Sequence, residues 1–224
     1  MWQFLFDLDG TILDTTELIL NSFIHAFQEG LGETVTEDEL MVHFGRPLET
    51  QFRVMRPRLE DADIHRLVQI YRQHNETEHD RFVAVVPGAD KGLRALYDKG
   101  FPLGIVTSKR LDLTEHGLRQ FGLLDLFQVV VHMDSTPRHK PHPEPVQHAL
   151  SLMGGRPEQA AYVGDSPYDM TSGKEAGVRT LGLIYNTFTD AVLREAGADV
   201  TVHRWSEIVE TLLGWAEGEP KPHS

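Results

Sequence analysis

The chain opens Met1-Trp2-Gln3-Phe4-Leu5-Phe6-Asp7-Leu8-Asp9-Gly10-Thr11, and this stretch decides how the rest is read. An apolar run of strand length stops at two carboxylates and a glycine. Asp7 and Asp9 stand two residues apart, so a continuing strand would present both on one face. Gly10 permits a tight departure of the backbone, whose N–H groups can then face an anion. An Asp-Gly pair also makes ordinary turns, so the reading depends on what else the chain places nearby.

Working outward, short β-branched and aliphatic runs recur at residues 4–6, 103–107, 128–131, 160–163, 180–184 and 199–202. Helix-like stretches separate them at 90–99, 111–120, 143–152, 168–176, 189–196 and 205–215. Nearly continuous apolar strands alternating with helices predict a parallel, doubly wound α/β sheet covered on both faces.

From Asp14 to about Phe82 that rhythm breaks. Ile19, Phe23, Ala26 and Phe27 share one helical face, and Leu48, Phe52 and Met55 share another. Asp14-Thr15-Thr16-Glu17 has the spacing of a capping box, and Gly30, Gly32, Gly45-Arg46-Pro47 and Pro57 divide the segment into short helices. The expected organisation is a core of residues 1–14 and 83–216, a helical cap at 15–82 and a frayed polar tail at 217–224.

In an open parallel sheet, ligands gather at the carboxyl ends of the strands. Asp7 and Asp9 sit at the first such end. Thr107-Ser108 follow the second strand, Lys140 lies beyond the third, and Gly164-Asp165-Ser166-Pro167-Tyr168-Asp169 follow the fourth. Crowded carboxylates repel one another unless a cation joins them, and an all-oxygen donor set suits Mg²⁺. Such an ion offsets the charge of carboxylates and of a phosphate, so that one anion can attack the other. A carboxylate nucleophile yields an aspartyl-phosphate, and a second carboxylate can protonate the leaving oxygen.

With those motifs in order, the chain resembles the haloacid dehalogenase superfamily of phosphohydrolases over nearly its whole length. The resemblance implies that Asp7 is the nucleophile and Asp9 the general acid, then base. It implies that Thr107 holds the phosphoryl oxygens and that Lys140 restrains the nucleophile; beside them, Gly10 by its backbone and Ser108 by its N–H are the further candidate substrate contacts. Mg²⁺ would be held by Asp7, Asp165 and the backbone carbonyl of Asp9, with Asp169 supporting Lys140 or the metal's waters. Within the superfamily, Glu17-Leu18-Ile19, Ser22-Phe23-Ile24-His25 and Lys140-Pro141-His142-Pro143-Glu144-Pro145-Val146 resemble the PpaX-type pyrophosphatases, with the phosphoglycolate phosphatases as neighbours. The resemblance therefore points first to pyrophosphate and second to phosphoglycolate as substrate.

Each residue also has a plainer reading. Asp169 fits a helix cap, because Ser166-Pro167-Tyr168-Asp169 places proline at the first helical position and a carboxylate in the first turn. Lys140, between His139 and Pro141, would ordinarily be a solvated loop lysine. Arg46, Arg53, Arg56 and Arg58 crowd a short stretch with Glu49 as its one acid; the last three read as a solvated edge, and Arg46 as a substrate reader. The pairs His74/His79 and His139/His142 lack the spacing of a zinc helix, and most of the twelve histidines read as exposed.

Composition narrows the classes further. Lys and Arg number 21 against 34 Asp and Glu, a formal charge of −13, which repels nucleic-acid backbones and anionic lipid. No cysteine is present, which removes disulfides, thiolate nucleophiles and cysteine-held metals. No basic region precedes the first apolar run and no stretch approaches membrane-spanning length, so the expectation is a cytoplasmic, soluble chain. A phosphonate-cleaving relative needs a cap lysine, and residues 14–82 contain none. A dehalogenase would not need Asp9. A sugar-phosphate mutase shares the whole site, so it remains open, as does a phospho-accepting or non-catalytic regulatory module.

Overall fold

The computed structural model describes residues 1–44, 48–185 and 187–218. From the N-terminus the elements are β1 (Gln3–Phe6), β2 (Leu13–Asp14), α1 (Thr16–Leu31), α2 (Glu37–Met41), α3 (Leu48–Met55) and α4 (Asp61–Phe82). Next come β3 (Ala84–Val85), α5 (Ala89–Asp98), β4 (Leu103–Val106), α6 (Leu111–Gln120) and β5 (Val129–Val131). The chain finishes with α7 (Glu144–Met153), β6 (Ala160–Gly164), α8 (Pro167–Ala176), β7 (Arg179–Leu183), α9 (Asp190–Ala196), β8 (Val200–Val202) and α10 (Trp205–Glu217). They form two compact units, one from Met1–Asp14 and Ala84–Ser224, the other from Thr15–Val83. Among the described residues no helix is long and apolar enough to cross a membrane.

The first unit is built on a parallel sheet in the order β5-β4-β1-β6-β7-β8. All four residues of β1 are buried, as a central strand with both faces covered requires. One face carries Leu5, Val106, Tyr162 and Ala160 against Val146, Ala149 and Leu150 of α7 and Ala176 of α8. On the other, Phe6 stacks on Trp205 of α10 with ring centroids 5.6 Å apart. Each such fully buried large side chain stabilises the unit by about 1.5–3 kcal/mol.

Register explains why the motifs meet. Phe6 pairs with Ile105 on one side and Val163 on the other. The residues just beyond those partners are Asp7, then Val106-Thr107, then Gly164-Asp165, so distant parts of the chain end side by side. The strand order also reverses about β1, which opens a crevice at this edge.

Among its described residues the second unit has helices and no strand. Phe23 and Phe27 of α1, Phe52 of α3, and Ile64, Leu67, Val68 and Tyr71 of α4 form its core. Phe23 lies 5.0 Å from Phe52 and 4.8 Å from Tyr71 between ring centroids. Gly30 allows α1 and α4 to approach closely, since a β-carbon there would overlap the Leu67 side chain.

Local detail departs from expectation around α1 and α4. The residue at the start of α1 is Thr15, whose side chain makes no capping bond, and Asp14 ends β2. That strand pairs antiparallel with β3, a ladder of two residues a side that is too short to show as alternation. The helices of the second unit are also not all short, since α1 has 16 residues and α4 has 22. Gly30 lies within α1, and Pro57 falls in the connection before α4. Gly45-Arg46-Pro47 and the tail from residue 219 lie outside the described residues.

Candidate active site

Asp7 leaves the end of β1, and its backbone N–H donates to the Val163 carbonyl at 2.9 Å, continuing the ladder by one residue. The chain then turns over Leu8, whose carbonyl accepts from the Ile12 and Leu13 N–H groups at 2.9 Å each. Trp205 ties this turn to α10, its indole N–H donating to the Thr11 carbonyl at 2.8 Å. Gly10 sits at φ +80, and a β-carbon on it would run into the Asp165 carboxylate. Its N–H, however, donates to the Leu13 carbonyl at 2.7 Å. The expected anion-facing role of the Gly10 amide is therefore corrected: this glycine serves the turn and the close approach of Asp165.

Lys140 reaches the site from the loop between β5 and α7. Its ammonium donates to Asp7 Oδ1 at 2.8 Å, Asp169 Oδ1 at 2.6 Å and the Tyr162 hydroxyl at 3.2 Å. The side chain is only 7% exposed, against 10% for Asp7 and 0% for Asp169, so the reading of a solvated loop lysine fails here. Ser172 of α8 helps hold the loop by donating to the His142 carbonyl at 2.8 Å.

Asp169 does both things expected of it. Its Oδ2 accepts from the Ser166 N–H at 3.1 Å and hydroxyl at 2.6 Å, completing a capping box at the start of α8. Its Oδ1 serves Lys140. Tyr162 hydroxyl lies 3.0 Å from the same oxygen and 2.9 Å from the Val106 carbonyl; its single proton can serve one of them at a time.

Asp9 stands apart with a lysine of its own. Lys109 Nζ donates to Asp9 Oδ1 at 2.9 Å, with side chains 11% and 32% exposed respectively. The Lys109 N–H donates to Thr107 Oγ1 at 3.2 Å, which leaves the hydroxyl proton of buried Thr107 to donate elsewhere. Ser108 is exposed. Arg46 lies outside the described residues.

The electrostatics suit a cation. Burial pushes the Asp7 carboxyl up to about 7; Lys140 opposes the shift, while Asp169 and Asp9 add to it. Burial and the charges of Asp169 and Asp7 likewise hold Asp165 well above the carboxylate range. Lys140 is disfavoured by burial, yet Asp169 and Asp7 outweigh this and keep its ammonium intact. Oxygens of Asp7, Asp165 and Asp169 lie within 4.8 Å of one another. Four carboxylates, counting Asp9, against the ammoniums of Lys140 and Lys109 leave a formal −2, the charge one divalent ion would neutralise. Both Asp169 oxygens are already engaged, so Asp7 and Asp165 are the carboxylates that fit such an ion.

Sequence reasoning missed Lys109 and Tyr162. Lys109 directly follows Thr107-Ser108, but a lone lysine in a loop carries no mark of burial. Tyr162 did carry one, because a phenol inside a strand covered on both faces must find a polar partner. Against the exposed reading given to most of the histidines, His79 of α4 is buried, at 1% exposure.

A parallel sheet with this crevice and this set of aspartates, lysine and threonine defines a hydrolase class. The chain belongs to the haloacid dehalogenase-like hydrolases, whose family model matches residues 4–183. It is 37% identical to the pyrophosphatase PpaX of Bacillus pumilus over 205 residues, covering 92% of this chain and 93% of that protein. A haloacid dehalogenase-like hydrolase from Streptococcus pneumoniae superposes with a TM-score of 0.83 at 27% identity, covering 94% and 98% of the two chains. A predicted phosphoglycolate phosphatase from Haemophilus somnus reaches 0.86 at 22% identity, covering 94% and 97%, a likeness of fold alone.

Proposed function

We propose that this chain is a Mg²⁺-dependent pyrophosphatase acting through an aspartyl-phosphate on Asp7. The observation that carries the reading is the division of labour between two carboxylates. Asp7 is buried and held by Lys140 at 2.8 Å, as a nucleophile of fixed aim requires. Asp9 is 32% exposed, paired with Lys109 and outside that network, where a leaving group and water can reach it. The similarity to a pyrophosphatase along nearly the whole chain favours pyrophosphate among phosphorylated substrates.

In this mechanism a carboxylate oxygen of Asp7 attacks phosphorus while Lys140 keeps its orientation. The bond from phosphorus to the bridging oxygen breaks, its electron pair stays on that oxygen, and Asp9 supplies the proton. Water then attacks the aspartyl-phosphate, returns a proton to Asp9 and releases the second phosphate. Thr107 and the Ser108 N–H donate to the transferred group's oxygens. Asp7, Asp165 and the Asp9 carbonyl would hold Mg²⁺, which supplies charge neutralisation for anion attacking anion.

The test is phosphate release with Mg²⁺ from pyrophosphate, 2-phosphoglycolate, β-glucose-1-phosphate and p-nitrophenyl phosphate. A kcat/KM for pyrophosphate at least about tenfold above the others supports the reading, that ratio being worth about 1.4 kcal/mol of transition-state binding. Preference for phosphoglycolate overturns the substrate and keeps the chemistry. No release with or without EDTA overturns the enzyme reading in favour of a regulatory module.

A further inference from the structure

Lys109 lies at the strand-end crevice beside Asp9 and has no task in the chemistry proposed for the site. It is nevertheless built into the site. Its N–H donates to Thr107 Oγ1 at 3.2 Å, its carbonyl accepts from the Met133 N–H at 3.0 Å, and its side chain is 11% exposed. Holding a long lysine side chain in one rotamer costs up to about 2 kcal/mol of side-chain entropy. A partly exposed ion pair typically returns less than about 1 kcal/mol. Stability alone therefore gives little reason for this arrangement.

Position supplies one. Lys109 Nζ is 2.9 Å from Asp9 Oδ1, and Asp9 is the group that protonates the departing oxygen. A cation within hydrogen-bond reach of the proton donor also lies beside the leaving group. An ammonium has three N–H donors, and among the described residues one is used, on Asp9. The other two can be offered to oxygens of the group that departs. Lys140 cannot do this, because its ammonium is engaged by Asp7, Asp169 and Tyr162 on the nucleophile's side.

We infer that Lys109 binds the leaving group and selects substrates whose leaving group carries its own negative charge. The class includes pyrophosphate, which releases phosphate, and phosphorylated hydroxy acids, which release a carboxylate. It excludes esters of neutral alcohols as preferred substrates. The inference rests on the phosphohydrolase reading and refines its substrate class.

Its test compares the unaltered protein with Lys109→Met and Lys109→Arg, each with Mg²⁺. The readout is the ratio of kcat/KM for pyrophosphate, and for 2-phosphoglycolate, to that for β-glucose-1-phosphate, whose leaving group is a neutral alcohol that also needs the proton from Asp9. Loss of one charge-assisted contact should lower that ratio by about 10- to 100-fold in Lys109→Met. Lys109→Arg should restore most of it. Equal losses on all three substrates, or an unchanged ratio, would show that Lys109 acts only on Asp9 and overturn the inference. A second arm does not depend on turnover: calorimetric titration with methylenediphosphonate and with methylphosphonate. Lys109→Met should weaken the first by a similar factor and leave the second within about twofold. If the unaltered protein releases no phosphate from any substrate, the phosphohydrolase reading falls, and the titrations still decide whether Lys109 recognises a second anionic group.

Discussion

The site holds two aspartate–lysine pairs that look alike in a contact diagram and differ in physical character. Asp7 and Lys140 are buried, share Asp169 and Tyr162, and have no slack. Asp9 and Lys109 make a single ion pair at the wetter side of the crevice. A buried charge pair is rigid and costly to disrupt, because removing one partner strands the other in low dielectric. A half-exposed pair is cheap to open and to share with a ligand. The first suits a nucleophile that must not move, the second a group that meets different leaving groups and then water.

Breaking the pairs one residue at a time should expose the contrast, most of all in turnover. Asp7→Asn removes the nucleophile and should cut kcat by more than about 10⁴-fold on every substrate, with an unchanged circular dichroism spectrum. Asp9→Asn should cost about 10²–10⁴-fold on pyrophosphate. Its effect should be clearly smaller on p-nitrophenyl phosphate, whose leaving group needs little protonation. Equal losses on both substrates would erase the distinction between the two carboxylates. On stability the order reverses toward the lysines. Lys140→Met strands Asp7 and Asp169 and should cost roughly 3–5 kcal/mol, about 6–20 °C in Tm by differential scanning calorimetry. Lys109→Met should stay within about 1 kcal/mol, or about 2–4 °C.

pH and metal sharpen the contrast further. Burial raises Asp7 from 3.8 to about 7, so the folded, metal-free protein holds a proton there that the unfolded chain releases near pH 4. The stabilising contribution is complete below about pH 4 and is lost as pH rises through about 7. Metal-free protein should therefore lose Tm between pH 5 and pH 8, and lose less of it in Asp7→Asn. Mg²⁺ at pH 8 should restore Tm by binding the ionised site, with millimolar ion raising it by several degrees. An Asp165→Asn variant should lose most of that rescue. A Tm indifferent to Mg²⁺ at pH 8 would remove the metal from this centre.

How much of this was legible in the sequence follows from how locally each feature is encoded. The sheet was legible, because strands buried on both faces read as continuous apolar runs, and residues at their carboxyl ends had to converge. Asp7, Thr107, Lys140, Asp165 and Asp169 do meet there. The double duty of Asp169 was visible only as two competing readings, since a capping box and a lysine contact use different oxygens of one carboxylate. What escaped notice depended on tertiary placement. The bond from Gly10 to Leu13 is a matter of turn geometry that no residue type announces. The ladder of β2 and β3 joins residues some seventy positions apart through two pairs. Asp14 lies in that ladder, and its carboxylate accepts from the Tyr185 hydroxyl at 2.8 Å, a contact across 171 positions.

The smallest expected effect probes the buried pair most finely. Tyr162→Phe removes a hydroxyl that accepts from Lys140 at 3.2 Å and donates to the Val106 carbonyl or Asp169. Lys140 keeps both carboxylates, and it also lies 3.4 Å from the Val106 carbonyl, so no buried acceptor is left bare. The expected cost is one net hydrogen bond, about 1 kcal/mol, seen as about 2–4 °C in Tm. Turnover should fall only about two- to fivefold, as a slightly freer Lys140 aims Asp7 less well. Because the hydroxyl lies on the nucleophile's side, the loss should be equal for pyrophosphate and p-nitrophenyl phosphate. A loss that depended on the leaving group would mean that the two pairs communicate, and that the nucleophile's scaffold reaches across the crevice to Asp9.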